Sequence, residues 1–322
     1  MKEDWLIGRT LGKYRLERLI GSGSCASVYQ ALHTRLRVPY AIKILHPAFA
    51  NQPEVLERFF REARAAGHLQ HENIVFTSDF EIEEGVGPYI VMEYLEGETL
   101  GAYMQKHETV SLGMIGEISR QVCLGLAQVH RKGLIHRDLK PDNIFLVPRE
   151  NGWILVKLLD FGIAHLGPLA ESITGARLVG TPKYMAPEQF RVGQQSHHID
   201  IYSFGVILYQ MLTGQVPFQG DHVHQLGLGH MMLDPPRLEE HFPSKLQGLL
   251  DQLLAKLPHE RPQSMFEVWQ ALAPILDPER RFQHWHIEMR DVFSSHELPE
   301  AIQEEYSPTK EVQATTNTDI HV

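Results

Sequence analysis

Between residues 14 and 47 apolar and polar positions change over in short runs. Tyr14-Arg15-Leu16-Glu17-Arg18-Leu19-Ile20 alternates and runs into glycines, and Ser27–Leu32 and Tyr40–Leu45 follow with β-branched and aromatic content. Three strands are predicted there. The period then lengthens. Val55, Phe59, Ala63 and Ala66 recur at helical spacing behind Pro53 and Glu54, which suit a first turn, so a helix is predicted over 53–69. Asn73-Ile74-Val75 and Tyr89–Tyr94 return to strand character. From Thr99 onward helical spacing dominates, over 99–107, 111–132, 197–213, 244–256 and 264–276. Strands first and helices later predict an α+β molecule: a small sheet-rich lobe joined near Glu93–Gly97 to a larger, mainly helical one. The spans read as an N-terminal extension (1–13), a two-lobed domain (14–95 and 96–276) and a tail (277–322). The apolar period decays after Asp277, and 291–322 is expected to be disordered, because so few apolar groups cannot offset the entropy of ordering.

Composition narrows the function classes. The 322 residues are 43% hydrophobic and 22% charged, which is ordinary globular usage. The net charge of −10 lacks the basic field of a nucleic-acid binder, and none is expected as a partner. Cys25 and Cys123 are too few for a disulfide framework and fit a reducing compartment. The N-terminus has no signal-peptide core, and the longest apolar run, Ile201–Leu212, is short of a membrane span. A cytoplasmic location is expected. Nineteen histidines invite a metal reading, but His197-His198, His222/His224 and His284/His286 lack nearby ligand-spaced partners. They read as solvated or structural.

Chemistry concentrates in two blocks. His136-Arg137-Asp138-Leu139-Lys140-Pro141-Asp142-Asn143 is followed, after a strand-turn-strand, by Asp160-Phe161-Gly162. A carboxylate to receive a hydroxyl, an amide and a second carboxylate to hold metal are what phosphoryl transfer requires, since it is mainly positioning and charge neutralisation. Upstream, Gly21-Ser22-Gly23-Ser24-Cys25-Ala26-Ser27-Val28 lies between two predicted strands, and Lys43 sits mid-strand in Ala41-Ile42-Lys43. Together these blocks resemble the protein kinase family, and more narrowly the bacterial serine/threonine kinases of eukaryotic (Hanks) type. The resemblance covers about residues 14–276 and implies the bilobal kinase fold.

The resemblance also implies roles. Gly21, Ser22 and Gly23 would close backbone amides over the ATP phosphates, with Ala26 standing where the family has a third glycine. Lys43 would contact the α- and β-phosphates and pair with a helix carboxylate, Glu62, with Glu57 the competing assignment. Asp138 would orient or deprotonate the acceptor hydroxyl, and Lys140, typical of serine/threonine kinases, would neutralise γ-phosphate charge. Asn143 and Asp160 would hold Mg²⁺, with Mn²⁺ a possible substitute. Ile20, Val28 and Ala41 would roof the adenine, Glu93 and Leu95 would offer backbone hydrogen bonds, and Met92 would stand at the back of the pocket. Phe161 would pack against the helix carrying Glu62.

Gly180-Thr181-Pro182-Lys183-Tyr184-Met185-Ala186-Pro187-Glu188 resembles the end of an activation segment. Thr181 would bridge Asp138 and Lys140, Glu188 would pair with Arg261, and Asp200 would hold the catalytic-loop backbone. Thr174, with Ser172 second, is the expected autophosphorylation site, its phosphate bound by Arg137 and one of Arg58, Arg61 or Arg64. In the tail, Thr316 with Asp319 three residues on resembles a phosphorylated motif read by forkhead-associated domains. The expected function is serine/threonine protein kinase in intracellular signalling, with protein substrates. A pseudokinase scaffold would have lost Lys43, Asp138 or Asp160, and a small-molecule kinase of related fold would lack the Gly180–Glu188 segment.

Overall fold

The computed structural model describes residues 4–50, 52–107, 109–160, 182–191 and 195–276. The expectations for Phe161, Gly162, Ser172, Thr174, Gly180, Thr181 and the tail lie outside these residues.

Alternating burial in the N-terminal third makes one antiparallel sheet in the order β1-β2-β3-β4-β6-β5. Its strands are β1 (Thr10–Leu11), β2 (Tyr14–Ser22), β3 (Ala26–His33), β4 (Pro39–Leu45), β5 (Thr77–Glu83) and β6 (Gly87–Glu93). The sheet curls, so the β1–β2 turn reaches β5: a Cβ on Gly12 would lie 3.2 Å from Glu81 Oε2. One face buries Leu11, Leu16, Tyr29, Ile42, Tyr89 and Val91. Leu6, from the segment read as an extension, joins that core, and Asp4 accepts a 2.7 Å hydrogen bond from the Tyr29 hydroxyl. Residues 4–13 are therefore part of the small lobe's packing. The other face packs Ala26, Leu45 and Ile90 against Phe59 and Ala63 of α1 (Pro53–Gly67).

Asn73–Val75, read as a strand, is a loop with one isolated bridge, Ile74 to Leu158. Its polar groups explain why. Asn73 Nδ2 donates to Gln121 Oε1 (2.7 Å) and to the Val156 carbonyl (3.0 Å), so this residue is committed to the large lobe. The true strand, β5, begins at Thr77 and was not anticipated.

The large lobe is built on α2 (Leu100–Lys106), α3 (Leu112–Arg131), α4 (His198–Thr213), α5 (Val223–Met232), α6 (Ser244–Leu253) and α7 (Met265–Leu276). Ser111 caps α3 by accepting the Met114 N–H, and Thr99 caps α2 through Ala102. Such caps satisfy the amides that a helix start leaves unpaired. Helix α4 is buried on every side from Ile199 to Tyr209, as expected of a helix apolar all round. α5 was not anticipated. Its Gly227 and Gly229 break the apolar period, and both allow close approach: a Cβ would lie 3.2 Å from the Phe190 ring and 3.0 Å from Phe218 Cβ. A small sheet, β7 (Glu98–Thr99), β8 (Ile144–Pro148) and β9 (Ile154–Leu158), presents the two chemical blocks at its ends. Among the described residues no helix is long and apolar enough to cross a membrane.

Candidate active site

Strand register brings the small-lobe groups to one face. Val28 lies opposite Lys43, and Ala41 lies opposite Met92. Ala41 is buried, Val28 half-buried, and Ile20 exposed. Between Ser22 and Ser27, which pair across the hairpin, Gly23 N–H donates to the Ala26 carbonyl at 2.8 Å. Gly21 lies opposite Val28.

Lys43 Nζ lies 2.6 Å from Glu62 Oε1 and 2.8 Å from Asp160 Oδ1. Its partner on α1 is thus Glu62, whereas Glu57 pairs with Arg61 at the surface (2.9 Å). Burial alone would push the Lys43 ammonium pKa down, but the Asp160 and Glu62 carboxylates outweigh it and hold the pKa well above the ordinary lysine value. Burial raises the Glu62 carboxyl, an effect that Lys43 opposes and Asp160 reinforces. The charge count across this ion pair explains the geometry: one cation is shared by two carboxylates, one from each lobe.

The large-lobe block is held by a buried carboxylate. Asp200 on α4 accepts the backbone N–H of His136 (2.8 Å) and of Arg137 (2.9 Å), and contacts His130 Nε2 at 2.7 Å. Burial would raise its pKa; the His130 hydrogen bond and charge more than offset this and hold the carboxyl below the usual range. These bonds support Arg137 in a left-handed backbone (φ 66°). The Arg137 carbonyl accepts from Gln189 Nε2 at 3.0 Å. His136 Nε2 lies 2.9 Å from the Leu159 carbonyl, linking this block to the residue before Asp160, which is itself left-handed (φ 43°).

Asp138 Oδ2 receives Lys140 Nζ at 2.6 Å and Asn143 Nδ2 at 3.1 Å. Asn143 Nδ2 also donates to the Asp138 carbonyl at 2.8 Å. With its amide nitrogen committed, Asn143 has its amide oxygen for a ligand, and Asp160 has the carboxylate oxygen that Lys43 does not take. Two hard oxygens fit a divalent ion such as Mg²⁺, which keeps water and phosphate in most of its shell. Among the described residues no group of three or more His, Cys, Asp or Glu makes a complete cage.

Glu188 accepts both ends of the Arg261 guanidinium, at 2.7 and 2.9 Å. The sequence reading missed Lys157. This buried lysine reaches Glu93 Oε1 at 2.6 Å, and that same oxygen accepts the Phe76 N–H at 2.7 Å. A lone lysine inside Ile154–Leu158 was the available signal, because a buried cation requires a partner. Cys25 is half-buried, and Cys123 is fully buried with its thiol pKa pushed up by burial.

A bilobal fold with these two blocks facing one cleft defines a protein kinase. The protein kinase domain model matches residues 14–272, and the chain belongs to that family. Members of the family use ATP with a divalent metal ion and act on proteins. The chain is 37% identical over 288 residues to the serine/threonine-protein kinase pkn3 of Myxococcus xanthus, covering 86% of this chain and 52% of that protein. It is 35% identical to the serine/threonine-protein kinase PknA of Mycobacterium tuberculosis, covering 80% of this chain and 60% of that protein. It thus spans little more than half the length of these curated relatives. The kinase domain of PknI from Mycobacterium tuberculosis superposes with a TM-score of 0.65 at 27% identity, covering 82% of this chain and 97% of that one.

Proposed function

We propose that the chain transfers the γ-phosphoryl group of MgATP to serine or threonine hydroxyls of proteins. Lys43 neutralises the α- and β-phosphates, with Glu62 fixing its ammonium. The backbone of Gly21, Ser22 and Gly23 covers the phosphates. Ile20, Val28 and Ala41 enclose the adenine beside Met92, and the backbone of Glu93 and Leu95 hydrogen-bonds it. Mg²⁺, or Mn²⁺ in its place, is held by Asn143 and Asp160 and supplies neutralisation of the phosphate oxygens. Asp138 aligns the acceptor hydroxyl and takes its proton as the oxygen–phosphorus bond forms and ADP leaves. Lys140 balances charge on the transferred group, and Thr181 completes the contact between Asp138 and Lys140.

The observation that carries this reading is the single ammonium of Lys43 shared by Glu62 (2.6 Å) and Asp160 (2.8 Å). It ties a small-lobe strand, α1 and the metal-side carboxylate into one unit of net charge −1, which leaves negative charge for a divalent cation to meet. Thr174, then Ser172, is the autophosphorylation candidate, and the Arg137 Nε, buried without a hydrogen-bond partner among the described residues, favours a phosphate near it. Phosphorylated tail threonines would recruit a forkhead-associated domain, and the setting is the cytoplasm.

The test is incubation of the purified chain with γ-labelled ATP and Mg²⁺, beside Asp138→Asn, with generic protein and aminoglycoside acceptors. Label on Ser or Thr of protein in the wild type alone is expected. Label on the aminoglycoside, or none on protein, would overturn the reading.

A further inference from the structure

The first turn of α4 carries Asp200, which holds the backbone of His136 and Arg137. Its last turn, from Tyr209 to Thr213, borders a cavity of about 620 Å³ that has no part in the proposed transfer. Asp200 and Tyr209 are about 14 Å apart along the helix axis. The remaining walls come from the loop after α4, from the α5–α6 connection and from Thr109 ahead of α3. A volume of this size is typical of small-molecule sites.

The walls are pinned from within. Gly214 ends α4 in left-handed backbone (φ 75°), with its N–H donating to the Gln210 carbonyl at 2.8 Å. Gln219 Nε2 donates to Gln215 Oε1 at 3.0 Å across the loop. On the α5–α6 connection, Leu238 N–H donates to Gln247 Oε1 of α6 at 2.7 Å, and Phe242 N–H to the Glu239 carbonyl at 3.0 Å. A ligand entering such a cavity loses little affinity to ordering its walls.

The lining groups sort by charge. Arg237 is exposed and has no ion pair among the described residues. Glu239 Oε2 lies 3.3 Å from His241 Nδ1, and the Glu239 side chain is 83% exposed, so solvent screens its charge. Arg237 is thus the cation left for an anionic ligand, and its planar fork matches phosphate oxygens. Between Gln215 and Gln219 one amide NH₂ and one amide oxygen stay uncommitted, which suits a hydroxyl that both donates and accepts. Val216, Pro217 and Phe242 add apolar surface in small pieces.

We propose that this cavity binds a phosphorylated sugar, with its phosphate on the Arg237 guanidinium, its hydroxyls on the Gln215 and Gln219 amides and its C–H face against Phe242. An apolar ligand would strip water from the guanidinium and both amides and return no hydrogen bond. A protein partner of ordinary interface size buries far more surface than this cavity holds. A sugar phosphate supplies one anion, several two-way hydroxyls and a small apolar face together. Once bound, it joins the end of α4 to the α5–α6 connection, and it raises the melting temperature because the unfolded chain does not bind it.

The test is isothermal titration of the full chain with glucose 6-phosphate and with ribose 5-phosphate, beside glucose and inorganic phosphate. Saturable binding of a sugar phosphate, about tenfold or more tighter than either control, is expected, with a raised Tm. Arg237→Ala should weaken it about tenfold or more. Gln215→Glu, which keeps an acceptor for Gln219 but sets a carboxylate beside the ligand, should weaken it too. Both side chains are exposed, so melting without ligand should be unchanged. Lys245→Ala removes a cation outside the cavity and should leave binding intact. Lys43→Met, which disables the interlobe cleft, should also leave it intact. No binding of either sugar phosphate, inorganic phosphate bound as tightly, full affinity in Arg237→Ala, or loss in Lys245→Ala or Lys43→Met would each overturn the proposal.

Discussion

Lys157 Nζ lies 2.6 Å from Glu93 Oε1, and the Phe76 N–H shares that oxygen at 2.7 Å. One buried cation on β9 therefore grips both the segment joining the lobes and the loop that enters β5. Asp160 lies three residues further along the same strand's exit. Removing one partner strands the other in a poorly solvated site. Lys157→Met is expected to cost about 1–3 kcal/mol, at the low end of buried pairs because the Glu93 side chain is 30% exposed. Denaturant unfolding checks the magnitude. In Lys157→Met/Glu93→Gln part of the loss should return, and nucleotide affinity should fall several-fold in the single variant. Stability and nucleotide affinity both unchanged would show that the pair holds nothing.

Lys43→Met and Asp160→Asn act on the shared ammonium from its two ends. Each should lower phosphoryl transfer by about 100-fold or more, because charge at the phosphates goes uncompensated. They should differ in binding: Asp160→Asn makes nucleotide affinity insensitive to Mg²⁺, whereas Lys43→Met leaves a metal response. Lys43→Met also leaves Glu62 buried without its cation, so its carboxyl shifts further up and takes a proton. Isothermal titration with and without Mg²⁺ distinguishes the two. Near wild-type transfer in Asp160→Asn would falsify its assignment.

Arg261 shows why an arginine here is not exchangeable. Its guanidinium donates to both Glu188 oxygens and to the carbonyls of Ala255, His198 and Lys256. The side chain is completely buried. A lysine supplies a point charge with three donors and no planar fork. Arg261→Lys is expected to destabilise by about 3 kcal/mol or more, with Glu188→Gln milder. Melting of both variants tests the order, and a reversed order would contradict it.

Much of this arrangement was legible because the two chemical blocks are contiguous. Asp138, Lys140 and Asn143 lie within one turn of chain, so spacing alone puts them together. Glu62 was preferred to Glu57 only through the family resemblance, and the structure decides it, with Glu62 on Lys43 and Glu57 on Arg61. What the sequence concealed depended on contacts between distant segments. Leu6 looks like part of a loose extension until the outer face of the sheet needs covering. Asn73-Ile74-Val75 has strand composition, but the Asn73 amide is drawn to α3 and β9. Gly227 and Gly229 mask α5, although they are what lets it approach Phe190 and Phe218.

His230 on α5 gives the acid side of the stability profile a specific source. Burial, with Lys256 adding to it, pushes its pKa down to about 4. The unfolded chain takes up this proton near 6.5. Between those values the unfolded state binds more protons, so stability falls as pH falls, by about 3 kcal/mol once pH 4 is reached. His230→Gln should flatten that part of the profile in denaturant titrations at pH 7, 6, 5 and 4. An unchanged slope would place the acid sensitivity elsewhere.

Lys256 makes the opposite end testable. Its Nζ is buried 4.5 Å over the Phe218 ring with no hydrogen-bond partner among the described residues. Burial lowers its pKa to about 8; Asp234 works against the shift and Arg261 with it. The unfolded lysine holds its proton up to about 10.4. Through the window from there down to 8 the unfolded state again binds more protons, so stability falls as pH falls and the deficit is constant below 8. Lys256→Met removes the deficit while keeping an unbranched chain against Phe218. After discounting for partial exposure, the variant should be more stable by about 1–2 kcal/mol at pH 7, a rise in Tm of about 2–6 °C. The gain should shrink as pH rises from 8 to 10. A variant no more stable than the wild type at pH 7 would mean that the aromatic face compensates the ammonium fully.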